Sequence, residues 1–275
     1  MPYPLQKIKY GLRCRLSDLA TPVERYRLQT AAGKIDICPT KPQLIRKTAG
    51  FPNARIVYDG KHLKITMFND LAEVRLTDFT NDNLWDHEDS LAIIGATAYD
   101  LIRSNMFNHL LIRPQVLRLS SCDITQRFFK ALKGSIICGS VRILHLVELN
   151  VDDINFADIF ATLPYITELH AHYVVPNSTW MSDILTFQKN KLMKMEILID
   201  NVDDLMAGDI VAFLDAQEKD FELLILTSMI PNKAMAKLRA KFSKVLKKYA
   251  GGQPLCPVVF IRHGDRMYKF EKRDV

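Results

Sequence analysis

Two short stretches hold residues whose types and spacing could do chemistry. In PVVFIRHGDRMYKF, residues 257–270, the triplet Arg262-His263-Gly264 follows an apolar, β-branched run from Val258 to Ile261. Such a triplet at a strand end suits phosphoryl transfer: the imidazole attacks phosphorus while Arg262 and Arg266 hold phosphate oxygens. That chemistry also needs a second histidine, another arginine and an acid from later loops, and only 11 residues (275 − 264) follow Gly264. The expectation is therefore a hairpin turning through His263-Gly264-Asp265, with Gly264 supplying the positive φ such turns require. No chemistry is expected at His263. The second stretch is His170-Ala171-His172, which on a strand would place two imidazoles on the same side, as metal sites do. No acid or cysteine of matching register is evident beside it, so no metal site is expected.

Other catalytic patterns are absent from the sequence. There is no G-x-x-x-x-G-K-[ST] loop, no G-x-G-x-x-G and no G-x-S-x-G elbow. The acidic run DFTNDNLWDHED, residues 78–89, lacks the glycine and terminal glutamate of a calcium loop and reads as a solvated connection. No catalytic residue and no cofactor follows from these residues, and the expectation is a protein that binds and is not an enzyme.

The elements that would position these residues form a repeating pattern. From about residue 114, strand-like runs alternate with helix-like runs: VLRLSSCDI, ILHLVELNV, ITELHAHYV, MEILIDNVD and LLILTSMIP. Aligned on Leu119, Leu146, Leu169, Leu198 and Leu226, they recur within the roughly 20 to 29 residue period of leucine-rich repeats, with the last two copies free to slip by one residue. Leu117-x-Leu119-x-x-Cys122-x-Ile124 fits the repeat core best. A strand and helix of this kind cannot bury their apolar faces alone, so neighbours stack with the strands on the concave side. The expected fold class is α/β, a leucine-rich-repeat-like solenoid. Residues 72–103 read as an earlier strand and helix with Asp89 or Ser90 as N-cap, and ARIVYDGKHLKITMF as a hairpin turning at Asp59-Gly60.

Composition narrows the class further. The chain has 48% hydrophobic residues and a net charge of +6, enough for a core and too modest a basic excess to demand nucleic acid. Much of the excess lies in residues 232–249, an amphipathic helix whose apolar stripe (Met235, Leu238, Phe242, Val245, Leu246, Tyr249) is expected to pack on the sheet while its lysines face water. An RNA-facing or membrane-facing role for it is the less favoured alternative. No apolar run reaches the roughly 20 residues of a bilayer span, and the charged N-terminus lacks a signal-peptide core. An intracellular protein is expected. Its five scattered cysteines, without a C-x-x-C pair, read as reduced thiols.

The N-terminus differs in kind. PYPLQKIKYGLRCRLSDLATPVERYRLQTAAG places Leu12, Leu16 and Leu19 on one helical face, breaks at Thr21-Pro22 and restarts through Val23, Tyr26 and Leu28 before Gly33. With its opening Pro4-Leu5, this stretch resembles the F-box family, specifically the large nematode group of F-box-like proteins that carry a leucine-rich-repeat-like region. The third segment departs from that pattern: GKIDICPTKPQLIRKTAG has two prolines and no tryptophan. The resemblance implies a helical module over residues 1–47 and a repeat domain over 48–275. It implies that Pro4, Leu5, Leu12, Leu16, Leu19, Pro22 and Tyr26 bind the Skp-type adaptor of a cullin ubiquitin ligase, with Arg13, Arg15 and Arg25 on the rim. The repeat domain would hold a protein substrate. The residues alone leave open that these helices cap the end of the stack, as solenoid termini must be capped.

In a strand reading Leu-x-Leu, alternate side chains point away from the core. Arg118 and Ser120, His145 and Val147, and Glu168 and His170 are therefore expected side by side on the concave sheet as the substrate surface. The expected function is a non-catalytic, substrate-recruiting subunit of an SCF-type ligase, with a protein- or RNA-binding scaffold lacking ligase contact as the alternative.

Overall fold

A computed structural model describes residues 7–32, 42–47, 51–70, 72–76, 83–149, 154–172, 176–199, 205, 207–227, 230–249 and 256–272. Two helices come first, α1 (Tyr10–Leu19) and α2 (Pro22–Ala32). Thr21 caps α2: its backbone N–H and hydroxyl donate to Glu24 Oε2 at 2.9 and 3.0 Å, and the Glu24 N–H donates back to Thr21 Oγ1 at 3.3 Å. Pro22 takes the first helical position, where its missing N–H has no intrahelical partner to lose.

Six strands follow: β1 (Ile45–Lys47), β2 (Asn53–Tyr58), β3 (Leu63–Phe68), β4 (Glu73–Leu76), β5 (Leu84–His87) and β6 (Ser90–Ile94). The chain then alternates through α3 (Ala98–Arg103), β7 (Leu110–Ile112), β8 (Val116–Ser120), α4 (Gln126–Ser135), β9 (Ile143–Val147), α5 (Phe156–Thr162), β10 (Glu168–His172) and α6 (Trp180–Phe187). It continues with β11 (Lys194–Leu198), α7 (Ala207–Ala216), β12 (Glu222–Leu226), α8 (Asn232–Val245), β13 (Leu246–Lys248), β14 (Val258–His263) and β15 (Arg266–Lys272).

The fold is mixed α/β, with eight helices among the described residues and one large, mostly parallel sheet. That 12-stranded sheet runs β13-β15-β14-β12-β11-β10-β9-β8-β6-β2-β3-β4 and stays open between its β13 and β4 edges. From β2 to β14, neighbours are parallel and follow chain order. Antiparallel partners are added at each end: β3 and β4 beyond β2, β15 and β13 beyond β14. A second, three-stranded parallel sheet is ordered β1-β5-β7.

The helices that return the chain between parallel strands pack on one another in sequence, α3 on α4 through α7 on α8. Alternation along the strands does the rest. Leu117, Leu119, Leu144, Leu146, Leu169, Ala171, Met195, Ile197, Leu223 and Ile225 join one buried cluster with the helix residues Phe128, Phe156, Phe160, Trp180, Phe213, Leu238 and Phe242. Removing one such leucine side chain costs about 2–5 kcal/mol. A corner also recurs. Gly95, Ser121 and Glu148 follow β6, β8 and β9 with φ of 69°, 51° and 47°. Each sends its N–H to the next strand, to the carbonyls of Ser120, Val147 and His172 respectively.

The register corrects the leucine alignment. Ile93, Leu119, Leu146, Ala171, Ile197 and Ile225 are the paired core positions. Their spacings are 26 (93 to 119), 27 (119 to 146), 25 (146 to 171), 26 (171 to 197) and 28 (197 to 225). Leu169 instead pairs with Leu144, two residues from its expected place, and Leu198 and Leu226 are one residue out, on the open face. Side-chain period 2 leaves a two-residue shift invisible in the pattern, whereas a one-residue shift exchanges faces.

Four further expectations change. The helix expected to start at Asp89 or Ser90 starts later, because 90–94 is strand β6; Thr97 is the N-cap of α3, in a reciprocal box with Asp100. Within the acidic run 78–89, residues 78–82 lie outside the described residues, but the remainder includes β5, with Leu84, Asp86 and His87 buried. Asp86 is sustained there by Arg113, whose guanidinium lies 2.5 Å from its carboxylate and also pairs with Glu88. The basic helix ends at Val245, and Leu246–Lys248 switches to a strand pairing with β15, so its apolar stripe is split between two elements. Finally, Cys122 and Cys138 are buried, free thiols, but Cys14 is disulfide-bonded.

The two expected hairpins are present. Asp59 Oδ1 accepts from the N–H groups of Lys61 and His62, with Gly60 at φ 92°. β14 turns into β15 at Gly264, φ 56°.

Candidate functional site

The open face of the sheet gathers polar residues at its centre. β8, β9, β10 and β11 place Arg118 opposite His145, His145 opposite His170, and His170 opposite Glu196. One step along, Ser120 pairs with Val147 and Val147 with His172. One step back, Ile143 pairs with Glu168 and Glu168 with Lys194. The six expected surface residues thus share a face, but the third strand is displaced by two positions: His172, not His170, stands beside Val147, and Glu168 stands beside Ile143. The cause is the leucine register already described.

The His145 and His170 rings are stacked, centroids 4.6 Å apart and 13° from parallel, and His172 follows at 6.2 Å and 18°. Glu196 reaches into this row from β11. Its Oε2 lies 3.1 Å from His170 Nδ1 and 3.4 Å from His172 Nε2, while its Oε1 lies 3.1 Å from Lys194 Nζ. Burial opposes the charge on Glu196, but hydrogen bonds from His170 and Lys194 outweigh it and hold the carboxyl below its usual range. His145 moves down to about 4, chiefly through burial and then through repulsion by His170, Arg118 and His172, with Glu196 acting in the opposite sense.

Glu196 overturns the expectation that no acid lies in register with His170-x-His172. The missed signal was the strand MEIL itself: aligning it on Leu198 assigns Glu196 to the core side, and a shift of one residue turns it to the histidines.

The N-terminal positions divide. Pro4 and Leu5 lie outside the described residues. On α1, Leu12, Leu16 and Leu19 are 59%, 41% and 76% exposed, and Ser17 is the one buried residue of that helix. Pro22, by contrast, is buried, and Tyr26 is half-buried against a small cluster of Val23, Leu84 and Leu111. Tyr26 therefore packs toward the short sheet, because α2 uses that face, through Val23, to cover Leu84 of β5 and Leu111 of β7. β1, from within the first 47 residues, pairs with β5, so packing crosses the expected boundary at residue 47.

His263 sits where β14 turns into β15. Its Nδ1 is 2.7 Å from the Thr227 carbonyl and its Nε2 3.2 Å from Asn232 Oδ1. Both ring nitrogens are engaged in tying the hairpin to the end of β12 and the start of α8. No helix among the described residues is long and apolar enough to cross a membrane. No family model, no curated protein and no solved structure matches the chain.

Proposed function

We propose that this chain is a non-catalytic substrate-recruiting subunit of an SCF-type ubiquitin ligase, built as a leucine-rich-repeat-like solenoid behind a short helical module. The observation that carries the reading is α1. A helix whose leucines recur at positions 12, 16 and 19 on one face would normally bury that face. Here the stripe stands in solvent while the neighbouring α2 packs inward. An unpartnered apolar stripe suits a docking helix for a Skp-type adaptor better than a cap on the stack.

The spacings of 25 to 28 residues between paired core positions in successive parallel strands support the repeat reading. Solenoids bind through the strand face, and the mixture of Arg118, His145, Val147 and Glu168 suits a protein substrate. Recruitment requires only that one end hold the ligase and the other the substrate, so the mechanism is positioning. The scaffold reading uses the same face and differs only in lacking ligase contact.

Affinity purification from cells expressing the tagged chain tests both ends. The wild type recovers a Skp-type adaptor together with further proteins. The Arg118→Glu/Val147→Glu variant keeps the adaptor and loses those proteins. Recovery without any adaptor, or an unchanged partner list in the variant, overturns the assignment.

A further inference from the structure

We propose that His170, His172 and Glu196 form a site for one divalent transition-metal ion of the zinc class on the open face of the sheet. This stands apart from the ligase reading. Ligand atoms of the three residues lie within 4.8 Å of one another. Around a tetrahedral ion with bonds of roughly 2.0–2.2 Å, neighbouring ligand atoms sit about 3.3 Å apart. Glu196 Oε2 meets that spacing twice, at 3.1 Å from His170 Nδ1 and 3.4 Å from His172 Nε2. Small side-chain rotations would close the set, with no movement of the backbone.

The surroundings match what a metal site needs beyond its ligands. His170 and Glu196 are register partners on adjacent strands, and His172 lies two residues on, so the pleat holds all three on one face. Coordinating histidines direct their second nitrogen at a carboxylate or carbonyl, which fixes the ring. With Nδ1 toward the cluster, His170 turns Nε2 toward Glu168 Oε2 at 3.7 Å, near enough for a carboxylate partner but longer than a hydrogen bond. Lys194 occupies Glu196 Oε1 and leaves Oε2 for an ion. The stacked ring of His145 covers the other side of His170, whose residue is 8% exposed.

The donor set decides the class of ion. Calcium and magnesium take oxygen ligands almost exclusively, whereas two imidazoles and one carboxylate suit zinc and its neighbours. Three protein ligands leave a coordination position for water or for a side chain of a bound partner.

The full chain, stripped with chelator and dialysed, is titrated with zinc chloride by calorimetry and with cobalt(II) by visible absorption. The expected result is one ion per chain and a tetrahedral cobalt spectrum. Glu196→Gln and His172→Asn weaken binding by more than about 100-fold, since even outer-shell partners account for ~10–100-fold. His145→Gln, which removes no ligand, still binds. Circular dichroism establishes that each variant is folded; Glu196→Gln preserves shape, and His172 is only half-buried, so the comparison does not depend on replacing the buried His170. Absence of zinc binding by the wild type, or titrations unchanged in Glu196→Gln and His172→Asn, overturns the site.

Discussion

The ring of His145 on β9 lies against that of His170 on β10, centroids 4.6 Å apart and 13° from parallel. Burial of the His145 ring in that contact opposes its charged form first, and repulsion by His170, Arg118 and His172 adds to it. The result is a histidine held neutral well below its ordinary range.

Acid sensitivity follows from the sign of that shift. His145 titrates at about 4 in the folded chain, against 6.5 for the ordinary side chain. Between those values the unfolded chain binds a proton that the folded chain refuses, so this residue's contribution lowers stability as pH falls from 6.5 to about 4 and changes little below that. The groups facing it are Arg118 on β8, His170 and His172 on β10 and Glu196 on β11. Urea unfolding at pH 7 and at pH 4.5 should show a smaller loss for His145→Gln than for the wild type. An equal loss in both would contradict the burial argument.

Glu148 sits at φ 47° after β9, in the place that Gly95 fills after β6. A side chain with a Cβ costs roughly 1–2 kcal/mol in that conformation. Glu148→Gly should therefore raise stability by up to about 1 kcal/mol, part of the gain being offset by the greater freedom of glycine in the unfolded chain. Glu148→Val should lower it. Thermal melts of the two variants check the order.

His263 predicts a structural phenotype without a chemical one. Losing its bonds to the Thr227 carbonyl and Asn232 Oδ1 should cost about 1–2 kcal/mol of stability. Phosphatase activity, measured with and without vanadate, should not differ between the wild type and His263→Ala. A vanadate-sensitive activity lost in the variant would return the Arg262-His263-Gly264 triplet to catalysis.

Much of this fold was legible, and the losses have definite causes. Leu-x-Leu alternation located the strands, and Asp59-Gly60 and Gly264-Asp265 located two turns, because alternation and glycine conformation are local properties. Strand β5 was not legible: in Leu84-Trp85-Asp86-His87 the polar pair is buried, and Asp86 is made tolerable by Arg113, 27 residues away (113 − 86). The candidate site was half legible. Arg118, His145 and His170 were placed on one face by period 2, but Glu196 was hidden by a one-residue ambiguity in an apolar strand that only pairing with β10 resolves. The break between α1 and α2 was legible at Thr21-Pro22, and the capping box Thr21-x-x-Glu24 that starts α2 was a further signal for it in the sequence.

Leu16 and Leu144 separate an exposed helix face from a core. Leu16 is 41% exposed and Leu144 0%. Leu16→Asp should leave the thermal midpoint nearly unchanged, whereas Leu144→Asp places an unpaired charge in the interior and should prevent folding. A large drop for Leu16→Asp would mean that α1 packs against the body of the protein.

The most direct test of the central claim uses two purified components, this chain and a Skp-type adaptor, titrated against each other by calorimetry. A one-to-one complex is predicted, with affinity reduced at least about tenfold, or roughly 1.4 kcal/mol, in a Leu12→Asp/Leu16→Asp variant that still melts like the wild type. No measurable binding by the wild-type chain, or binding unaffected by the double substitution, would contradict the assignment of α1 as the ligase-docking helix.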